Sequence, residues 1–256
     1  MMLTMQKGDD LSAARQHHEQ MLKLVAKGFY NELINYGVNE AQIVTVAGHL
    51  LDNVIPKGGQ SAKNVEFYNT LFSLKDVKNE WAAHQRLAVQ QVSLAPLDIA
   101  QVPQILAWLR APAIRSSFHP RFPETDGELR RYFQSPGREY LAIFHEGHFS
   151  GIIGAENLDA ASGKLEMRKL VGDSAMHGQG IGKRATFLFL YHVFVIRKFR
   201  KVYLHSLDIN IRNLNLNGKF GFELEGVFLE DAVVDGHHRD VVRMALAAPV
   251  WLELFS

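Results

Sequence analysis

The chain contains no cysteine. That excludes disulfides, thiolate nucleophiles and Cys-ligated zinc. It also lacks an apolar run long enough to cross a bilayer. The longest, Ala185–Ile196, is broken by Tyr191 and His192 and bounded by Lys and Arg. The first ten residues, Met1–Asp10, carry no apolar stretch after the first Lys, so no secretory signal is expected and a cytoplasmic location is the default. Charge of one sign is missing too. Lys and Arg number 28 against 27 Asp and Glu, a formal net charge of +1, so no global field for nucleic acid is implied. The histidine pairs His17-His18 and His237-His238 are adjacent, without the i, i+4 spacing of a helical metal site, and no metal is expected. No Gly-x-Ser-x-Gly occurs, so no serine triad can be asserted.

What is present is an ordinary globular composition, 47% hydrophobic and 21% charged over 256 residues, enough for one or two domains. The pattern of the first 85 residues is helical. Leu11, Ala14, His18, Met21, Leu22, Val25, Phe29, Leu33 and Ile34 recur at helical spacing. Gly37 is a stop, and Asn39 caps a second helix, Glu40–Val54. After a loop at Pro56–Ser61, two more helices are expected at Asn64–Leu74 and Asp76–Ala88. This stretch carries no recognisable motif. It is either a supporting extension or dimer contact, or a docking module for a macromolecular acceptor.

From Arg86 the pattern changes. Arg86–Leu94 alternates and is expected to be a strand. Asp98 caps a helix at Ile99–Arg110. A proline-broken loop, Ala111–Pro123, carries Arg115, Ser116, Ser117, His119 and Arg121, and a second helix starts at Thr125–Glu128 and runs to about Gln134. Strands follow at Glu139–His145, His148–Asn157 and from Leu165. A long apolar helix, Lys183–Phe199, leads to a strand at Lys201–Asp208 and a short helix at Ile211–Phe220. A last hairpin, Glu225–Val234 and Arg239–Ala247, turns at Asp235-Gly236. The order predicts an α/β (α+β) fold: a mixed, mostly antiparallel sheet flanked by helices, preceded by a small all-helical domain. The expected division is 1–85 and 86–256.

The stretch between the central strand and the long helix reads His177-Gly-Gln-Gly-Ile-Gly182. Glycines opening a helix let backbone N–H groups converge on one point, where the helix dipole adds positive character. The physical reading is a diphosphate cradle. A P-loop fails, because its first Gly would be His177 and Lys183 is followed by Arg184. A dinucleotide fingerprint fails, because the third Gly comes only two residues after the second and no acid appears before Asp208.

What remains, Gln/Arg-x-x-Gly-x-Gly/Ala, resembles the acetyl-CoA pyrophosphate loop of the GNAT acetyltransferases, with His177 where that family usually has Arg or Gln. Asn210-x-Arg212 and Lys219-Phe-Gly-Phe222 after the next strand strengthen the likeness. Trp108-Leu109, Leu170-Val-Gly172, Glu225-Gly-Val227 and Asp235-Gly236…Asp240-Val241 echo the branch containing ribosomal-protein alanine and amino-sugar acetyltransferases. The resemblance spans about Leu87–Leu246. It implies an acyl-CoA-dependent N-acyltransferase with acetyl-CoA as default donor, no metal, and direct attack by a primary amine in a ternary complex. The implied acceptor is a small metabolite or amino-sugar nucleotide, with a peptide or protein recruited by the N-terminal helices as the alternative. An acyl-CoA-binding module without turnover is a further class, and a homodimer is compatible. No nucleic-acid or membrane partner is implied.

By the same resemblance, a backbone N–H near Leu170 would polarise the thioester carbonyl. Leu170 and Val171 would border the pantetheine arm. His177, Gly178, Gln179, Gly180, Ile181, Gly182 and Lys183 would hold the diphosphate, with Lys183 or Arg184 adding a contact. Asn210, Asn213 and Asn217 would lie along the cofactor arm. Glu166 is the first candidate base and Glu156 the second, each equally readable as a solvent-facing or ion-paired strand residue; His205 is a third candidate, read first as a packed core histidine. The Tyr that protonates the thiolate in many members is replaced by Asn217, so proton transfer through water or the amine itself is implied. The aromatic helix with Phe187, Phe189, Tyr191, His192, Phe194 and Phe199 is expected to be buried, an acyl tunnel being the other reading.

Overall fold

The computed structural model describes residues 20–35, 37–40, 42–44, 46–47, 67–111, 114, 122–172, 176, 178–208, 210–234 and 236–256. Two compact units are present, one of residues 1–65 with 208–212 and one of residues 66–207 with 213–256. In the first, helix α1 covers 20–35. Gly28 is buried there, and a Cβ on it would stand 3.1 Å from the Asp208 carbonyl oxygen. Residues 40, 42–44 and 46–47 are also helical; the remainder of the two expected N-terminal helices, and the loop at 56–61, lies outside the described residues.

The second unit is built on nine strands in the order β1-β2-β3-β4-β5-β6-β7-β9-β8. These are β1 Lys78–Glu80, β2 Arg86–Val89, β3 Val92–Pro96, β4 Glu139–His145, β5 His148–Asp159, β6 Lys164–Val171, β7 Lys201–Leu207, β8 Glu223–Val234 and β9 His237–Ala247. Every neighbour pair is antiparallel except β6 with β7, so the sheet is mixed and mostly antiparallel, as expected. Strand alternation sorts side chains between two layers. On one face, α5 (Ile181–Tyr191) buries Ile181, Ala185 and Leu188 against Ile153, Leu165, Met167, Val202 and Leu204. On the other, α3 (Val102–Arg110) and α4 (Asp126–Phe133) cover Tyr140, Ile152 and Leu170 with Ile105, Leu129 and Phe133. Caps fix where these helices begin. The Asp98 side chain accepts from Ala100 N–H at 2.8 Å, and Thr125 Oγ1 accepts from Glu128 N–H.

The structure corrects several expected elements. The helix expected over Asp76–Ala88 is instead β1, a single turn α2 (Trp81–His84) and β2. The pairing of Lys78–Glu80 with Arg86–Ala88 overrides the helical spacing of Val77 and Trp81. The single strand expected at Arg86–Leu94 is the β2–β3 hairpin, turning at Gln90, whose φ is +51°. In place of the helix expected over Asn64–Leu74, the described part holds 3-10 turns at Tyr68–Thr70 and Leu74–Asp76. The long helix gives way at His192–Ile196 to a π-type turn. Of its expected buried residues, Phe187, Phe189, His192 and Phe194 are buried, while Tyr191 and Phe199 are half-buried; Phe187 and Phe194 pack on Trp251, and Phe187 also on Phe255, of a C-terminal helix not among the expected elements, α7 (Ala248–Phe255).

Candidate active site

The strand pair β6–β7 is joined only over Lys164–Glu166 and Lys201–Tyr203. Beyond that, β6 stays bound to β5 through Val171 and β7 to β9 through Leu207. The sheet therefore opens into a wedge after Glu166 and Tyr203. Gly172 N–H donates to the Ser150 carbonyl at 2.9 Å. Residues two apart on a strand turn their amides to the same side, so Leu170 N–H faces β5 as well, and Val171 N–H is the amide turned toward the wedge. Trp108 of α3 closes the β6 end: a Cβ on Gly172 would stand 1.9 Å from its indole.

The glycine loop leaves β6 and enters α5. Gly178 and Gly180 have φ of +86° and +77°. Gly180 is the N-cap of α5, and no side chain caps it. A Cβ at Gly178 would meet nothing within 4 Å among the described residues, which leaves room for a ligand at that backbone. Gln179 is exposed, and its carbonyl accepts from Arg184 Nη1 at 2.8 Å, while Arg184 Nε donates to Gln90 Oε1 at 2.6 Å. Arg184 thus fastens the loop to the β2–β3 turn. Lys183 lies with its ammonium 5.7 Å from the Tyr68 ring centre. Ile181 is buried in the core, and a Cβ on Gly182 would stand 3.7 Å from Val171 Cγ2 and 4.0 Å from Lys169 Cε. His177, with residues 173–175, lies outside the described residues, as do Arg115, Ser116, Ser117, His119 and Arg121 of the expected acceptor loop and Asp235 of the last hairpin.

On the face covered by α3 and α4, the wedge is floored by a buried polar network. Glu156 and Glu166 pair across β5 and β6 in register. Arg168 joins them, its Nε 2.9 Å from Glu156 Oε2 and its Nη2 3.2 Å from Glu166 Oε1. Tyr132 and Tyr140 both donate to Glu156 Oε1. Asn157, at φ +49° beside a bulge, donates to Glu166 Oε2 at 2.8 Å. His205 Nδ1 lies 3.0 Å from Glu166 Oε1. Burial pushes the Glu166 carboxyl up, but the bond to His205, the Arg168 charge and Asn157 outweigh it and hold the group at about 2. Burial together with Glu156 pushes Tyr132 up to about 12. Burial lowers the Arg168 guanidinium's pKa, yet the two carboxylates outweigh that and hold it raised, so the cation persists.

The three asparagines fall at different depths. Asn210 lies just ahead of α6 (Ile211–Gly218). Asn213 Nδ2 donates to Ser206 Oγ at 3.3 Å, tying α6 to the end of β7. Asn217 is buried, its Oδ1 without a hydrogen-bond partner among the described residues. Sequence reasoning missed Arg168, Tyr132, Tyr140 and Asn157. Glu166-x-Arg168 on one strand was a local sign of a shared face; the tyrosines join only through cross-strand register.

An acetyltransferase (GNAT) domain model matches residues 91–223 of the 256. The chain belongs to the GNAT acetyltransferase family. It is an acyl-CoA-dependent N-acetyltransferase. Among solved structures, it is similar to a candidate acetyltransferase at 25% identity, covering 68% of this chain and 92% of that one with a TM-score of 0.56. A candidate acetyltransferase from T. thermophilus shares 24% identity over 66% and 92%, TM-score 0.55. The fold is also that of a Vibrio cholerae spermidine N-acetyltransferase in complex with CoA and spermine, at 20% identity over 63% and 98%, TM-score 0.59. No curated protein matches the sequence. GNAT enzymes take their acyl group from acetyl-CoA, and the open Gly178 backbone, the uncapped α5 terminus and the wedge fit such a donor. No helix among the described residues is long and apolar enough to cross a membrane, and no cluster of three or more potential metal ligands occurs among them.

Proposed function

We propose that this GNAT enzyme acylates the primary amine of a small metabolite, with an acetyl group as the default cargo. The observation that carries this reading is the alignment of two features on one strand. β6 leaves β7 after Glu166, and a short loop beyond its end the glycines begin that open α5. Amides of Gly178 to Lys183 would hold the diphosphate of coenzyme A, with the α5 dipole behind them. Leu170 and Val171 would line the pantetheine arm, and Val171 N–H would polarise the carbonyl to be attacked. When bound, the thioester supplies an activated acyl carbon and a good leaving group. Gln179 would border the diphosphate position, and Asn213, bonded to Ser206 at the end of β7, the arm. Asn217 occupies the place where many relatives carry a Tyr acid; its amide does not donate a proton as an acid does, so the thiol proton would come from the amine itself.

On the acceptor side, Glu156 and Glu166 face Arg168, and Arg138 stands as a second cation 4.0 Å over the Tyr132 ring, so the charges there balance and the acceptor is read from similarity. Similarity to the spermidine enzyme supports a small amine; amino-sugar nucleotides remain within the same class. A peptide acceptor is the second reading, favoured by the exposed Leu22, Val25, Tyr30 and Ile34 of α1, which offer an apolar surface in the N-terminal unit. Calorimetry with coenzyme A and acetyl-CoA tests the donor site, and turnover with spermidine, an amino-sugar nucleotide and a lysine peptide tests the acceptor. Absence of coenzyme A binding sinks the proposal. Turnover only on the peptide, abolished by deleting residues 1–65, favours the second reading.

A further inference from the structure

We infer that His205 is the group that takes the proton from the acceptor amine, with Glu166 as its positioning residue; this rests on the acyltransfer reading above. The inference begins with place. His205 stands two residues past Tyr203, the last β7 residue joined to β6. Val202 and Leu204 point into the core under α5, so Tyr203 and His205 point to the opposite face, where the Glu156–Arg168–Glu166 network lies. His205 is therefore on the acceptor side of the sheet, at the mouth of the wedge.

Next comes its protonation geometry. An ionised carboxylate only accepts hydrogen bonds, so the 3.0 Å contact with Glu166 Oε1 makes Nδ1 the donor and leaves the Nε2 lone pair for a proton. No described residue hydrogen-bonds Nε2. The ring is held from both sides, edge-on to Tyr203 at 5.7 Å and to Phe228 at 5.6 Å between ring centres. Exposure separates the roles. The Glu166 side chain is 2% exposed and already accepts hydrogen bonds from Arg168, Asn157 and His205, whereas the His205 side chain is 13% exposed. Glu166 cannot reach a substrate; His205 can.

The charged neighbours are consistent with this assignment. From β6, Glu166 and Arg168 face the ring's Nδ1 side, with Glu156 and Asn157 of β5 behind them. From β9, Arg243 stands opposite His205 in register, but its guanidinium lies 4.0 Å over the Tyr203 ring and pairs with Glu225 of β8 at 2.8 Å. The carboxylate orients the imidazole and stabilises the imidazolium once it forms. In the reaction, an entering ammonium loses one proton to Nε2, and the imidazolium later releases it to solvent. The freed nitrogen pair forms the C–N bond, the C–S bond breaks, and a second N–H proton leaves with the sulfur as thiol.

The test compares the full chain with H205A, H205Q and E166Q, using acetyl-CoA and the best amine from the panel above. Removing a general base lowers rates by about 10²–10⁴. H205A is expected to lose at least about a hundredfold in kcat/KM, to keep coenzyme A affinity within threefold, and to regain rate with added imidazole. E166Q is expected to lower kcat with KM little changed and to weaken the tautomer preference of the His205 ring, because Nδ1 loses its carboxylate acceptor. Without any ligand, 15N spectra of the imidazoles are expected to show the Nδ1–H tautomer at His205. Rates in H205A within fivefold of the parent, an acidic limb unchanged in H205Q, or the opposite tautomer overturn the assignment while leaving the acyltransferase reading intact. No coenzyme A binding by the parent chain overturns that reading and takes the assignment with it.

Discussion

The ammonium of Lys169 lies 2.7 Å from Thr186 Oγ1, which itself donates to the Gly182 carbonyl at 2.8 Å. A strand lysine is thereby tied beneath the first turn of α5, directly under the glycine loop. Burial pulls its pKa down to about 7.

That contact sets a pH dependence of stability. In the unfolded chain Lys169 titrates near 10.4. Between about pH 7 and 10 the unfolded state then binds the extra proton, so stability rises with pH across this window. Below about 7 both states are protonated and the penalty of burying the cation is fully present. Lys169 keeps some contact with solvent, so the slope is roughly 1 kcal/mol per pH unit or less. Urea unfolding of K169M is expected to show higher stability than the parent at pH 6, converging with it near pH 10. A difference that is flat with pH counts against the buried cation.

Glu166 has the opposite sign. Its folded pKa of about 2 lies below the ordinary value of 4.5, so its stabilisation is complete above about pH 4.5 and disappears as pH falls to 2. The shift corresponds to about 3 kcal/mol at neutral pH. E166Q is expected to lose about that much at pH 7 and to differ little from the parent near pH 2. Thermal melts from pH 2 to 7 measure the gap; equal losses at both ends contradict the network.

These two residues show how far local sequence reached. Glu166 was legible as a chemistry-bearing carboxylate because it sits on the strand that feeds the glycine loop. Its neighbours were not, because Arg168, Glu156 and Tyr140 meet only through the β4–β5–β6 register, and period-two alternation gives a face without giving a partner. The strand Glu139–His145 was readable to the residue because a Gly turn and a buried apolar run bound it. The segment Asp76–Ala88 has helical spacing yet folds as two strands around one helical turn, since Trp81 and its neighbours favour that turn and the flanking β pairing is not visible in the local pattern. The break at His192 has no Gly or Pro to announce it; the buried ring bonds Glu139 and packs 4.2 Å from Trp81, both distant in the chain.

Gly172 and Trp108 form a testable pair at the wedge. A methyl group on Gly172 would overlap the indole at 1.9 Å, so the ring must move. G172A is expected to destabilise the chain by about 1–3 kcal/mol, the usual penalty of overpacking. In W108L the same substitution is expected to lose most of its effect, giving a strongly non-additive cycle. Additive effects in chemical denaturation would show that the indole is not what Gly172 accommodates.

Gly178 and Gly180 separate strain from ligand contact. Both need the left-handed region, at φ +86° and +77°, which disfavours any residue with a Cβ by about 1 kcal/mol or more. At Gly178 the added methyl meets nothing within 4 Å. At Gly180 it meets Arg184 Nη1 at 2.6 Å and Lys183 Cε at 2.8 Å, both ends of flexible side chains. G178A is therefore expected to cost little more than its backbone strain in a thermal melt, and G180A slightly more. If the loop amides grip a diphosphate, both methyls intrude where the anion approaches, and calorimetry is expected to show coenzyme A binding weakened about tenfold or more in each. The weakening should be much smaller for pantetheine, which lacks the diphosphate. Equal losses for coenzyme A and pantetheine would place the defect in the folded loop itself, and unchanged coenzyme A affinity in both variants would remove the loop from the binding site.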